Sequence, residues 1–457
     1  MTLFRIGILL PAALLAGCSS LTTPYMRPAL PNPPAWQDGG GVSAPVAAVQ
    51  WWRSFGDARL DQLVETVLLN NNDLLAATLR VRKALLQADL AGAARIPQLS
   101  GTGGAQTSTT LADGLSSNAI TLGLGASYEL DLWGRLAGTQ DMAALQAAAS
   151  IADVETARTT IIAAAIEAYW RLAFANQDLA IAQAGLAAAR EVEDLVKSQA
   201  ALGAATALEL AEVRQSVESQ AAQLADLEQS RVVQRNALGV LLNGLPNPVT
   251  EPTRLPARTP VQITAGLPAE LLARRPDLRA AELRLRASLR NVDVTRASLY
   301  PQISLTGNLG ASSTALLSLL ANPVATLGAG LALPFLNFQD GALRVTVSEV
   351  DYQIAVSEFR AALLTAFSDT GNALSARVTL NDKSRRLRAA LEASQSAEQL
   401  IGERYRAGAV ALRVWLDAKE RSRTAERTLA ANRLEQLLTE VQIFRVLGGS
   451  PSSLTSL

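Results

Sequence analysis

From Ile120 to Leu130 the residues Ile120, Leu122, Leu124, Ala126, Tyr128 and Leu130 fall on one parity, and Thr, Gly, Gly, Ser and Glu fall on the other. Period two over such a run predicts a strand with one aliphatic face and one wet or crowded face. Ala325, Leu327, Ala329, Leu331 and Leu333 repeat the alternation. Gly- and Ser-rich stretches at 99–109 and 303–313 are read as their partners, with loops at 109–118 and 312–323, which predicts hairpins at about 99–131 and about 302–334. Each strand is about ten residues, the length that crosses a bilayer when tilted.

Elsewhere the period is helical. Ala168, Leu172, Ala175, Leu179, Ala182, Leu186 and Ala189 follow the heptad spacing of a coiled-coil seam. Helices are predicted over 73–95, 136–201, 206–243, 277–300, 343–406 and 413–447, with a short amphipathic segment from Trp51 that ends at Asn70-Asn-Asn. A helix of roughly 65 residues extends ~100 Å, too long for a globular domain. Proline agrees with this reading. None occurs between Pro97 and Pro246 or between Pro334 and Pro451, whereas residues 24–45 hold six and 246–276 hold seven. Those clusters mark extended connectors.

The two helix-to-strand passages are echoes. Asp73–Ser100 and Asp277–Ser304 share the Asp, the Leu-Arg-x-Arg, the Pro-Gln and the final Ser at an offset of 204, and Gly203/Gly408, Glu212/Asp417 and Leu242/Leu447 continue at 205. The chain thus reads as two copies of one unit. Residues 51–245 and 267–450 are the copies and 246–266 the connector between them. Pro97 and Pro301 are the helix-to-strand junctions.

Four strands cannot close, and open edges are not tolerated in hydrocarbon. Bacterial barrels have even strand numbers of at least eight, so two or three chains would suffice. Periodicity alone equally allows a soluble sheet packed on one face.

Composition narrows the function. Lys and Arg number 41 against 41 Asp and Glu, which argues against a nucleic-acid partner. With no histidine and one cysteine, the commonest general base and metal ligand are missing and disulfides within the chain are excluded. No phosphate-binding loop or nucleophile elbow occurs, so an enzyme, a metal site or a bound cofactor is not expected.

Arg5, the apolar run Ile6–Leu15 and Leu15-Ala-Gly-Cys18 form a secretory leader over residues 1–17. Its ending resembles the lipobox of bacterial lipoproteins, which implies cleavage before Cys18 and a covalent lipid on it. Each buried methylene contributes roughly 0.8 kcal/mol, so a multiply acylated Cys18 is a firm anchor. In such lipoproteins Ser19, rather than Asp, implies sorting to the outer membrane. Residues 18–50, with TPYMRP and PNPP, are the tether, and 451–457 a tail. The lipobox, and the lack of an element to cover the sheet, favour the membrane reading.

WWRSFGDARLDQLV at 51–64, RRPDLRAAELRLR at 274–286, the LYPQIS junction and YRAGAVALRVWLDAKE at 405–420 complete a pattern that resembles the outer-membrane efflux proteins of the TolC type, in their lipoprotein, NodT-like branch. The resemblance implies a mixed α and β membrane protein: a homotrimeric twelve-stranded β-barrel, four strands per chain, continued by a long α-helical coiled-coil barrel in the periplasm. It implies the passive exit duct of a tripartite efflux pump, with a periplasmic adaptor (membrane fusion protein) and an inner-membrane transporter of the resistance-nodulation-division class as partners. Drugs or other small toxic compounds are the expected cargo. A type I protein-secretion channel, a metal-efflux channel and an adaptor lipoprotein are the alternatives.

Carried over by position, Asp417 is the acidic ring of the periplasmic gate, and three like charges about an axis would select cations. Glu209 and Tyr405 occupy positions whose counterparts pair to hold the tip closed. Arg413 stands where an apolar constriction residue is usual, with Leu412 beside it. Lys419 replaces a usual Gln, and Ala200 and Ala201 a usual aromatic.

Overall fold

The computed structural model describes residues 21–29, 50–109, 111–112, 114–247, 249–257, 274–314, 319 and 323–448. The leader, Cys18, most of the tether, residues 258–266 of the connector and the tail lie outside them. In chain order the elements are a 3-10 turn (Trp51–Phe55), α1 (Ala58–Asn70), α2 (Asn72–Ala93), β1 (Gln98–Thr109), β2 (Ser116–Leu130), α3 (Arg135–Ala201), α4 (Ala207–Leu241), α5 (Pro276–Ala297), β3 (Gln302–Ser313), β4 (Pro323–Ala332), a second 3-10 turn (Pro334–Leu336), α6 (Phe338–Arg406) and α7 (Leu412–Val446). The succession helix, hairpin, long helix, shorter helix occurs twice.

The boundaries depart from the expected ones in two places. Strand β2 is 15 residues long and begins at Ser116, inside the expected loop. Its first residues pair through hydroxyls rather than aliphatic side chains: Ser108 and Ser117 lie 2.9 Å apart, as do Thr109 and Ser116, and Thr107 donates to Asn118 at 3.0 Å. Helix α6 begins at Phe338, five residues early, where Asp340 reaches the Arg344 guanidinium one turn on at 2.8 Å.

The chain forms two compact units. The first comprises Met1–Leu30, Thr78–Ala152 and Leu278–Ala362 and carries the sheet. Its strands run antiparallel in the order β1-β2-β3-β4, so the two hairpins join through β2 and β3. The Trp133 indole donates to the Pro301 carbonyl at 2.8 Å and lies 4.9 Å from the Tyr300 ring, tying the end of one hairpin to the start of the other. Pro97 stands one residue before β1, where Gln98 donates to the carbonyl of Ala93 at the end of α2.

In the same unit the tether residues Leu21–Ala29 run extended along α5, antiparallel to it. The Thr23 amide and hydroxyl donate to Asp293 at 2.9 and 2.6 Å. Arg27 grips Glu282 through Nε at 3.1 Å and Nη2 at 2.6 Å, the Tyr25 hydroxyl donates to the same carboxylate at 3.2 Å, and the Arg286 guanidinium covers the Tyr25 ring. Burial alone would raise the Glu282 carboxyl, but Arg27 and Arg286 outweigh it and hold it below the ordinary carboxylate value.

The second unit comprises Pro31–Ala77, Asp153–Asp277 and Leu363–Leu457. Its core is aromatic. Trp51 stacks on Phe444 of α7 at 4.6 Å, Phe55 meets Trp170 of α3 edge-on at 4.7 Å, and Trp52 is fully buried beside them. Leu60, Leu63, Val64 and Val67 bury one stripe of α1 against this cluster. Asp57 caps α1, accepting from the amides of Arg59 and Leu60, and its second oxygen accepts from the Tyr169 hydroxyl of α3 at 3.0 Å. Burial, and then the Asp57 charge, push that hydroxyl well up. The heptad seam is buried at Leu172, Leu179, Leu186 and Ala189, as its spacing predicts. Among the described residues no helix is long and apolar enough to cross a membrane.

Candidate functional site

Two features offer chemistry: the faces of the sheet and the turns that end the long helices. The strand registers sort the sheet residues cleanly. Leu122, Leu124, Ala126, Tyr128 and Leu130 of β2 stand opposite Ala311, Leu309, Gly307, Leu305 and Ile303 of β3, which in turn stand beside Pro323, Ala325, Leu327, Ala329 and Leu331 of β4. That aliphatic face is bare, with Leu124 63% and Leu327 92% exposed. The opposite face carries Ser100, Thr102, Thr121, Ser127, Ser304, Thr306 and Asn308, with glycines between them. The glycines make room for the side chains opposite them. A Cβ at Gly125 would lie 2.8 Å from Ser100 Oγ, at Gly123 2.9 Å from Thr102 Oγ1, and at Gly330 2.7 Å from Ser304 Oγ. A face of such small groups can sit on the inside of a curve. Its carboxylate, Glu129, is neutralised by a bidentate pair with Arg135.

The turns lie in the second unit. Each long helix ends on a glycine in the left-handed region, Gly203 at φ +74° and Gly408 at φ +72°. The amides of Ala204 and Ala409 close the same loop on the carbonyls of Gln199 and Arg404. The helices that follow start differently. Thr206 and Glu209 form a reciprocal capping box at the start of α4, whereas Ala411 offers α7 no side-chain cap.

Helix α7 is instead held by packing. Leu412 and Trp415, 1% and 7% exposed, form one cluster with Val192 and Val196 of α3 and Val213 of α4. Tyr405 stacks on the Trp415 indole at 5.0 Å and donates its hydroxyl to Gln199 Oε1 at 3.3 Å. Burial, followed by the charge of Glu209, raises the Tyr405 hydroxyl above its ordinary value. Lys419 and Arg406 lie over the indole at 5.0 and 5.8 Å, and Lys419 reaches Glu398 at 3.6 Å.

The residues singled out in the sequence therefore fall into three environments. Leu412 is interior to the chain, packed with Trp415 and with valines of α3 and α4. Arg413 is 75% exposed and 3.9 Å from Glu212, a surface pair worth ~0–1 kcal/mol. Asp417 is exposed, makes no ion pair among the described residues, and edges a groove of about 520 Å³ with Glu420, Arg421 and Thr424. Glu209 and Tyr405 are neighbours, yet the Glu209 carboxylate is engaged by the Thr206 cap. By magnitude, the Tyr405–Gln199 bond is worth ~1 kcal/mol, whereas truncating a buried Trp costs ~3–5 kcal/mol. Sequence reasoning passed over Trp415 as a site, although Gly402, about one turn before the end of α6, was a signal: a glycine inside a helix needs a reason.

Further along these helices α3 and α7 are clasped. Arg427 forms a bidentate pair with Asp178 at 2.6 and 2.9 Å, and Arg423 bonds Gln220 and Glu420 while crossing Gly185. A cavity of about 670 Å³ opens beside them, floored by Ala180, Ala184, Gly185 and Ala188 and walled by Arg254, Lys419 and Glu398.

The profile of the family described as outer membrane efflux protein matches the chain twice, over residues 63–244 and 267–449. The pyoverdine export outer membrane protein OpmQ of Pseudomonas putida is 35% identical over 469 aligned residues, covering 98% of each chain. The toluene efflux pump outer membrane protein TtgC of Pseudomonas putida is 31% identical, covering 98% of this chain and 96% of its own. Among solved structures, the outer-membrane channel OprN matches with a TM-score of 0.85 at 28% identity, over 94% of this chain and 98% of its own. With its helix-dominated mixed architecture, its two-faced sheet and these matches, the chain belongs to the outer membrane efflux protein family.

Proposed function

We propose that the chain is the exit duct of a tripartite efflux pump, three copies of which close one twelve-stranded barrel in the outer membrane. The observation that carries this is the sheet. Among the described residues β1 and β4 have free edges, and four alternating strands bring an outer β4 beside the β1 of another copy in antiparallel sense. Closure removes edges that hydrocarbon would not tolerate, and lipid covers the bare leucines. The face of hydroxyls and glycines then lines the lumen, where, with Glu129 neutralised, it passes cargo without strong selection by charge.

The double family match and the recurring element order support descent from one duplicated unit of helices and a hairpin. Cys18 carries the lipid in this reading. With Leu21 and Thr22 held beside the end of α5 that leads to β3, at most ~11 Å of chain separates Cys18 from the strapped segment. An adaptor and an inner-membrane transporter engage the helical turns and supply the energy, and substrate moves passively. Small toxic or exported organic compounds are the cargo class, in keeping with the pyoverdine and toluene named for OpmQ and TtgC.

The test is reconstitution. Purified protein should run as three chains after cross-linking and conduct in planar bilayers. Protein that stays silent in every form, including variants with loosened turns, would overturn the channel reading.

A further inference from the structure

We propose that Trp415 is the latch of the periplasmic tip: its indole fastens the α6–α7 turn to the α3–α4 turn of the same chain, and the tip opens only when that contact parts. The inference rests on the channel reading and names the residue that holds the tip shut.

Four helix ends meet at this side chain. Its own helix lacks a side-chain cap at Ala411, so the start of α7 is fixed by what Trp415 and Leu412 bury. From α6, Tyr405 stacks on the indole, and the backbone of Gly402 comes so near that a Cβ there would lie 2.9 Å from the indole Nε1. Val196 at the end of α3 and Val213 near the start of α4 complete the cluster. Tyr405 makes the second link across the turns, through Gln199 of α3.

Within one chain the polar groups at the tip do not make the same link. Arg413 and Asp417 point into solvent, the first with a long contact to Glu212 and the second without an ion pair among the described residues. Glu209 is engaged in capping its own helix. Their charges are placed to act on what passes, while the apolar cluster is placed to decide whether the turns separate. Lys419 and Arg406 over the indole add a handle: a partner that draws these cations away weakens the latch without touching its interior.

The experiment compares purified trimers of Trp415→Ala, Trp415→Phe, Gly402→Ala and Arg413→Ala with the parent chain in planar bilayers, at matched trimer content. Gly402→Ala approaches the indole from the neighbouring helix and favours helix intrinsically, so it perturbs the latch even where the Trp415→Ala protein fails to assemble. Trp415→Ala and Gly402→Ala are expected to raise open probability at least about tenfold, with Trp415→Phe close to the parent and Arg413→Ala changing ion preference more than opening. If Gly402→Ala and Trp415→Ala conduct no more than the parent while Arg413→Ala opens, the latch lies in the polar groups and the proposal is overturned. Silence of every variant overturns the channel reading and the latch with it.

Discussion

The strap along α5 can be loosened by one atom. In Glu282→Gln the carboxylate that accepts from Arg27 Nε, Arg27 Nη2, Tyr25 and Arg286 becomes an amide with one acceptor oxygen. Arg27 loses a bidentate partner. Hydrogen bonds to charged groups are worth ~1.5–3 kcal/mol, and because the Arg27 side chain is 48% exposed the lower half of that range applies. A loss of ~2 kcal/mol raises the open fraction of the strap about thirtyfold, while Thr23 still holds Asp293. Chymotryptic cleavage after Tyr25 reads that fraction, since the ring is protected only while Arg286 covers it. Trypsin is unsuitable because Pro28 follows Arg27. The expected result is cleavage about thirtyfold faster in Glu282→Gln, with no change in Glu251→Gln, whose pairs with Arg231 and Arg235 lie elsewhere. The pH dependence has a definite sign. A carboxyl held below its ordinary value contributes stability that is complete above the unfolded value and is lost as pH falls through the folded one. Cleavage of the parent chain, corrected for protease activity, should thus be flat from about pH 8 to about pH 6. Equal cleavage of Glu282→Gln and the parent would refute the reasoning, as would a parent rate that climbs within that range.

Two further outcomes are expected. Asp417→Ala should shift the cation-to-anion permeability ratio toward anions in bilayer reversal potentials, with little effect on the fold of the chain because Asp417 is exposed and makes no ion pair among the described residues; an unchanged ratio removes it from the conduction path. Labelled palmitate should be incorporated into the parent chain and absent from Cys18→Ser, and label that survives the substitution refutes the anchor.

What could be read from the chain follows the range of the interactions. Strand and helix positions repeat locally, so parity at 120–130 and the heptad from Ala168 to Ala189 located elements to within a few residues. The first residues of β2 escaped because Ser116, Ser117 and Asn118 pair through polar side chains and carry no aliphatic parity. The extended form of TPYMRP was legible, but its partners Glu282 and Asp293 lie more than 250 residues away, and nothing near Arg27 announces them. At the tip, position in the motif drew attention to Asp417 and Arg413, which chemistry makes conspicuous. Trp415 is conspicuous only once Gly402, Tyr405 and Val213 are seen around it.

If the edges of β1 and β4, free among the described residues, close between chains as proposed, a genetic consequence follows. A barrel shared among chains has no spare seam, so one chain with a broken edge spoils the ring that its neighbours complete. With the three chains per ring proposed above, a cell making intact and edge-defective copies in equal amounts would retain about one wholly intact assembly in eight. Such alleles behave as dominant poisons, whereas alleles that abolish synthesis are recessive.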